Sequence, residues 1–273
     1  MRTTMLALPL VAVAAAVGVA APAFAATATV TEANIGVDWN TGKQDTRPGG
    51  SYAFTTAYGA PAGFGTGALE LVTADVIAKV QMLTGQDAGV KLSDVKGSIS
   101  YWAKQVAADP KMPPQVASLN LFIDPDGPGT DYSYAPLILE PVYQPQALVP
   151  GTWQKWDGSA PTARWWSTRT FPGMTAFDPN NGPNIDAISA ANPDATILPE
   201  GYGFNQGSGN AGLTSAVDGL TIGSKTFDFG PRVLTGADCK DGGWATTFAP
   251  GTFKNQGACV SFYAKGGTTP PKA

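Results

Sequence analysis

The sequence predicts an all-β protein: a two-sheet jelly-roll sandwich with a short edge helix and a small disulfide-closed module at its C-terminal end. Three observations predict it. Short stretches of apolar–polar alternation recur along the chain, bounded by Gly, Pro and Asp. The 33 glycines and 23 prolines supply turn-forming residues between them. Only 14% of the 273 residues are charged while 43% are hydrophobic, a balance that favours an exported β fold and argues against disorder.

Residues 1–25 read as a cleavable signal peptide. Arg2 is the lone charge, Leu6 to Ala21 is almost wholly apolar, and Ala23-Phe24-Ala25 offers a small-x-small cleavage site. The apolar run is shorter than the ~20 residues of a spanning helix, and Pro9 and Pro22 break it. The expected location is therefore secreted, with no membrane anchor.

Residues 26–67 are Gly- and Thr-rich and read as an N-terminal strand plus loops. Alternation then predicts strands at Ala68–Thr73, Val76–Leu83, Gly97–Tyr101 and Ser118–Ile123. Period alone would also allow Val76–Leu83 to be helical. Asp124-Pro-Asp-Gly-Pro-Gly is a strong turn signal, and Tyr134–Val142 returns as the hairpin partner. Gly151–Asp157, Arg164–Ser167, Gly201–Asn205, Ala216–Ile222 and Thr226–Phe229 complete the set. One helix of about two turns is expected after Asn184 or Asp186, with Ile185, Ile188 and Ala191 on one side and Pro193 ending it. The sandwich spans 26–231, and 232–273 forms the C-terminal module and tail.

Charge and residue types exclude several functions. With 17 Lys and Arg against 21 Asp and Glu, the net charge of −4 offers no footprint for nucleic acid. It also suits an anionic membrane surface poorly. The chain has no histidine, which removes Ser-His-Asp and Cys-His machinery and the commonest transition-metal ligand. The two cysteines, Cys239 and Cys259, read as one disulfide in an oxidising compartment. Closing a loop of about 20 residues, it stabilises the module by about 3 kcal/mol.

Three segments carry a resemblance. Gly67-Ala-Leu-Glu-Leu, Gly151-Thr-Trp-x-x-Trp-Asp and Ala216-Val-Asp-Gly-Leu-Thr-Ile resemble, in order and spacing, strands of carbohydrate-binding-module jelly rolls. That resemblance implies an architecture and no particular ligand. Cys239-Lys-Asp-Gly-Gly-Trp244 and Phe253-Lys-Asn-Gln-Gly-Ala-Cys259-Val-Ser-Phe are similar to a motif at the C-terminus of secreted bacterial proteins of actinobacterial type. It implies secretion and the disulfide, and no activity.

Three constellations are candidates for chemistry. Asp124, Asp126 and Asp131 lie in one hairpin turn and could gather around a structural Ca2+, although a plain Asp-Gly turn is the simpler reading. Trp156, Asp157, Trp166, Arg169, Asn205 and Gln206 could form a sugar platform of indoles framed by polar groups. Trp153 and Trp165 belong to the same aromatic cluster. Alternation sends about half of these indoles into the core, with either set able to face inward. Third, Glu70, Glu140, Asp157, Asp186, Glu200 and Asp218 include no pair that stands out for glycoside hydrolysis. Among them Glu140, between Leu139 and Pro141, is the one expected to be partly buried with a raised pKa, or paired with Arg164 or Arg169. The expected function is non-enzymatic binding of an extracellular polysaccharide or cell-envelope polymer, with no cofactor beyond the structural calcium. A matrix protein without small ligand and a histidine-free glycan-active enzyme are the alternatives.

Overall fold

The computed structural model describes residues 26–40, 44–129, 134–248, 250–268 and 270–271. The expected signal peptide and Asp131 lie outside the described residues. Eleven strands are described: β1 (Ala26–Val30), β2 (Gly50–Thr55), β3 (Ala68–Thr73), β4 (Val80–Thr84), β5 (Ile99–Ala107), β6 (Ser118–Asp124), β7 (Ala135–Leu139), β8 (Gln154–Asp157), β9 (Thr196–Gln206), β10 (Leu213–Ile222) and β11 (Lys225–Phe229). The helices are short: α1 (Leu92–Val95), α2 (Ile185–Ala191), α3 (Gly243–Thr246) and α4 (Gln256–Ala264).

The strands form two sheets, and the protein is an all-β sandwich. The smaller sheet runs β4-β9-β6-β7, antiparallel throughout. The larger centres on β10, which pairs with β5 along one edge, and β5 pairs with β8. Along its other edge β10 pairs first with β3, itself paired with β2, and then with β11. β1 lies parallel to β11.

β10 changes partner at an irregularity between Asp218 and Thr221, where Gly219 takes φ +57°. The Asp218 carboxylate anchors this branch point. Its Oδ1 accepts from the backbone N–H of Gly219 and of Phe229, each at 2.7 Å. Its second oxygen is buried without a hydrogen bond. Burial pushes the carboxyl up to about 7 against the pull of those two N–H groups.

Alternation sorts each strand. Leu119, Leu121 and Ile123 of β6 and Leu137 and Leu139 of β7 face inward. They meet Leu69, Leu71, Tyr101, Val217, Phe227 and Phe229 of the larger sheet in one core with Tyr202 and Phe204. Each such side chain contributes about 1.5–3 kcal/mol by leaving water. Trp39 seals one side, packed edge-on to Phe227 and Phe229 at centroid distances of 5.3 and 5.0 Å.

Some elements differ from expectation. The strand expected from Val76 begins at Val80, because Asp75 Oδ1 accepts from the N–H groups of Ile77 and Ala78 and turns the chain there. Val76 and Ile77 are left exposed. Arg164–Ser167 is no strand; it makes only isolated bridges, from Trp166 to Ile138 and from Ser167 to Ala176. The edge helix forms as α2, its N-terminus capped by Asn184 accepting from Ala187 N–H at 2.9 Å.

The disulfide-closed C-terminal module is helical. A 3-10 turn at Gly236–Cys239, capped by Thr235, leads to α3, and Asn255 caps α4. The Cys239–Cys259 disulfide joins the turn to α4 across a Cα–Cα distance of 5.7 Å. Gly243 is required for close approach: a Cβ there would fall 2.1 Å from the Asp238 carbonyl oxygen. Cys239, Phe248, Phe253 and Cys259 form a small core of their own, separate from that of the sandwich. Among the described residues no helix is long and apolar enough to cross a membrane.

Candidate functional site

The outward face of the smaller sheet is polar. Inward leucines on β6 alternate with Ser118, Asn120 and Phe122, which therefore face out. Register aligns these residues across the sheet. Ser118 of β6 is opposite Asn205 of β9, and Asn205 is opposite Gln81 of β4. Glu140 follows directly on β7, one step beyond the Leu119–Leu139 pair, which sets it beside Ser118. The result is a transverse row, Glu140–Ser118–Asn205–Gln81, with neighbouring strands ~4.8 Å apart. Gln81 Nε2 donates to Asn205 Oδ1 at 3.1 Å, and Ser118 Oγ donates to the Asn205 carbonyl at 3.0 Å.

Two flanking segments raise walls over this floor. On the β7 side Trp166 exchanges backbone hydrogen bonds with Ile138, at 2.8 and 3.1 Å. On the β4 side the chain at Asp45–Arg47 is fastened to Gln81 and Lys79. Asp45 N–H donates to Gln81 Oε1 at 2.7 Å, Gln81 N–H donates to Thr46 Oγ1 at 3.1 Å, and Arg47 N–H donates to the Lys79 carbonyl at 2.8 Å. Between the walls lies a cleft of about 410 Å³ lined by Ser118, Glu140, Tyr143, Trp166, Asn205 and Asn210, with Arg47 and Lys79 at its cationic side. A second hollow of about 260 Å³ shares Lys79 and extends the same face to Gln81, Phe122, Tyr134 and Glu200. Tyr134 lies against Phe122 at 5.7 Å between centroids, and the Arg169 guanidinium sits 5.9 Å from the centre of its ring.

The charges in the cleft are unequal partners. Asp45 binds Arg47 at 2.6 Å and Lys79 at 3.0 Å. The hydrogen bond from Arg47 leads in holding its carboxyl down at about 2, against the effect of burial. Glu140 has no ion pair among the described residues, neither with Arg164 nor with Arg169. Burial drives its carboxyl up to about 7, and the adjacent Trp166 indole N–H only partly offsets that rise. That indole nitrogen is buried without a hydrogen bond of good geometry.

The six residues expected to form a sugar platform do not meet. Trp166 and Asn205 line the cleft together. Trp156 is a correction: at 2% exposure it is part of the core, because its place opposite Tyr101 on β5 turns it inward. Gln206, next to Asn205 on an alternating strand, also turns inward. Its amide ties the sheets by donating to the Leu71 and Leu213 carbonyls and to Thr73 Oγ1. Asp157 is exposed at a separate dent of about 90 Å³ beside Trp156, where its carboxylate accepts from Ser159 N–H. Arg169 stands over Tyr134, on the extended part of the face. Of the other two indoles, Trp165 is buried, donating to the Gly158 carbonyl at 2.9 Å, and Trp153 is half-buried against the Tyr58 carbonyl. Ser118, Gln81, Tyr143 and Tyr134 are cleft residues that sequence reasoning missed. The polar positions of Ser118-Leu-Asn-Leu-Phe-Ile were the available signal for the floor.

In the turn after β6 the Asp124 carboxylate accepts from the backbone N–H groups of Asp126 and Gly127. Asp124 is 8% exposed. Burial and the neighbouring Asp126 carboxylate raise its pKa. Against protein-family profiles, curated proteins and solved structures, the chain matches none.

Proposed function

We propose that this protein is exported and binds a glycan, extracellular or of the cell envelope, along the outward face of the smaller sheet. The observation that carries this reading is the cleft in which Trp166 stands beside the row Glu140–Ser118–Asn205–Gln81. A sugar ring offers a C–H face that packs on an indole and hydroxyls that exchange hydrogen bonds with amides and hydroxyls. A cleft with one aromatic wall and a floor of serine and amide side chains matches both demands. An apolar ligand would strand those floor groups without partners. Export is supported by the leader-like residues 1–25 and by the Cys239–Cys259 disulfide.

Strand geometry favours binding over hydrolysis. A glycosidase pair needs carboxylates about 5–10 Å apart. Glu200 neighbours Tyr134, six residues along the strand from Glu140, or about 20 Å. Gln81, beside Asp45, is three strand spacings from Glu140, or about 14 Å. Glu140, pushed up to about 7 by burial, therefore serves as a hydrogen-bonding group for a sugar hydroxyl.

A panel of soluble polysaccharides and peptidoglycan fragments, titrated calorimetrically, tests the reading. One glycan class should bind, and Trp166→Ala should weaken it at least about tenfold, the loss of one stacked ring. Trp153→Ala, a half-buried indole outside the cleft, should leave the affinity unchanged. Binding that survives Trp166→Ala intact, or no binding across the panel, would remove the basis for the proposal.

A further inference from the structure

The charged residues that line the cleft are not equally satisfied. Arg47 and Lys79 share Asp45, whereas Glu140 has no counter-ion among the described residues. The cations closest to it in the fold are turned elsewhere. Arg164 donates to the Tyr143 carbonyl at 3.4 Å, and Arg169 stands over the Tyr134 ring. Arg47 and Lys79 belong to the β4 side, three strand spacings or about 14 Å across the sheet. That is beyond the ~8 Å over which exposed charges act at physiological salt.

What surrounds Glu140 is aromatic and neutral. The Trp166 indole N–H lies beside its carboxylate. The Tyr143 phenol is pushed up by burial first and by the Glu140 charge second, so the carboxylate faces that ring as well. Ser118 adds a hydroxyl from the floor. The carboxylate is nevertheless open to the cleft it lines, since neither oxygen is among the buried atoms left without a partner. A half-buried carboxylate without a counter-ion costs the free protein stability. A hydroxyl arriving there supplies one neutral hydrogen bond, whereas a cation supplies a charge-assisted one. Two aromatic rings beside the carboxylate favour a cation further, because ring faces attract positive charge. With a sugar ring stacked on Trp166, the cation has to be a small substituent of that same ring.

We infer that the glycan held in this cleft is an unacetylated amino sugar, its primary ammonium bound by the Glu140 carboxylate between Trp166 and Tyr143. The inference rests on the glycan reading above and gives Glu140 an ammonium in place of a hydroxyl. It makes Glu140 the residue that selects the ligand and Trp166 the residue that holds its ring. N-acetylation removes the positive charge and so removes what Glu140 recognises.

Three oligosaccharides that differ in one ring substituent test this by calorimetry at about pH 7: a chitosan tetrasaccharide, its fully N-acetylated form, and the glucose tetrasaccharide of the same linkage. The chitosan form should bind at least about tenfold more tightly than the other two. Glu140→Gln, which keeps the shape and removes the charge, should bring the three affinities within about twofold of one another. That variant should melt at or above the wild type, so that lost selectivity is separated from lost folding. Equal affinity for the three in the wild type, no binding of the chitosan form, or a preference that survives Glu140→Gln would overturn the ammonium site. Binding of the neutral forms that Trp166→Ala abolishes, without any preference for the amine, would overturn it too and leave the glycan reading standing.

Discussion

The sandwich and the C-terminal module solve the same problem by different means. The sandwich buries long rows of Leu, Ile, Phe and Tyr between two sheets and has no cross-link. The module buries two phenylalanines and a cystine. The sandwich can therefore carry uncompensated polar groups: Glu140 and Asp218 are both held near pH 7 by burial. Among its described residues the module has one orphaned buried side-chain group, a neutral one, the Tyr263 hydroxyl. Its Asp238 accepts from Thr235 N–H, pairs with Arg232 and titrates below the ordinary carboxylate range. A large core tolerates buried carboxylates with raised pKa values, while the small one holds a satisfied carboxylate, a single orphaned hydroxyl and a covalent closure besides.

Breaking the covalent closure tests that contrast most severely. Cys239→Ser with Cys259→Ser removes about 3 kcal/mol from a module whose core is four side chains. The module should unfold and become protease-sensitive between Val233 and Lys265, while the main calorimetric transition of the sandwich stays in place. Loss of both transitions together would mean that the two cores are one cooperative unit.

The next effect is one of pH. The folded pKa of Glu140, about 7, lies above its ordinary 4.5, so the folded state holds a proton that the unfolded chain has released. Its contribution to stability is complete below about pH 4.5, falls as pH rises toward 7, and stays lost above. Glu140→Gln should stabilise the sandwich by up to about 3 kcal/mol at about pH 8 and by almost nothing at about pH 4. Urea unfolding across that range measures it. Asp238 has the opposite sign: its lowered pKa adds stability that disappears only as pH falls below the ordinary carboxylate value of 3.8. Between about pH 7 and 4 acid should therefore favour the sandwich, while below 3.8 it loosens the module and also removes what Asp45, held at about 2, contributes to the sandwich.

The smallest effect sharpens the comparison by applying one lesion to both regions. Asn184 and Asn255 cap α2 and α4 with the same hydrogen bond, 2.9 Å in each. Each Asn→Ala should lose about 1 kcal/mol. In the sandwich that loss is a minor shift in melting temperature. In the module it should appear as faster hydrogen exchange throughout α4.

Much of the sandwich was legible because alternation is a local signal. Ser118-Leu-Asn-Leu-Phe-Ile-Asp declares a strand, its inward face and its turn within seven residues, and β3 matches its expected bounds, Ala68–Thr73, to the residue. What failed depended on contacts that lie far away in sequence. Trp156 and Trp166 are equally plausible platform residues in isolation. The pairing of β8 with β5 buries the first, and the bridge to Ile138 stands the second over the cleft. The helices of the module were not legible for a related reason: Gly242-Gly243 and Asn255-Gln256-Gly257 have the composition of turns, yet Thr235 and Asn255 act as helix caps. Glu140 was legible in part, since apolar neighbours forecast its burial, but only the register with Ser118 places it in the row.

The parallel pairing of β1 with β11 has a consequence for how the molecule is made. Ala26 is matched to Lys225 and Val30 to Phe229, so nearly the whole described chain separates the two partners. Closing so long a loop is entropically slow, and among the described residues β1 pairs with no other strand. β1 therefore waits for the last strand of the sandwich to emerge. Until then Trp39 lacks the two rings it packs against, Phe227 and Phe229. The first strand made is thus among the last to be paired, which keeps that side of the sandwich open until β11 has been synthesised.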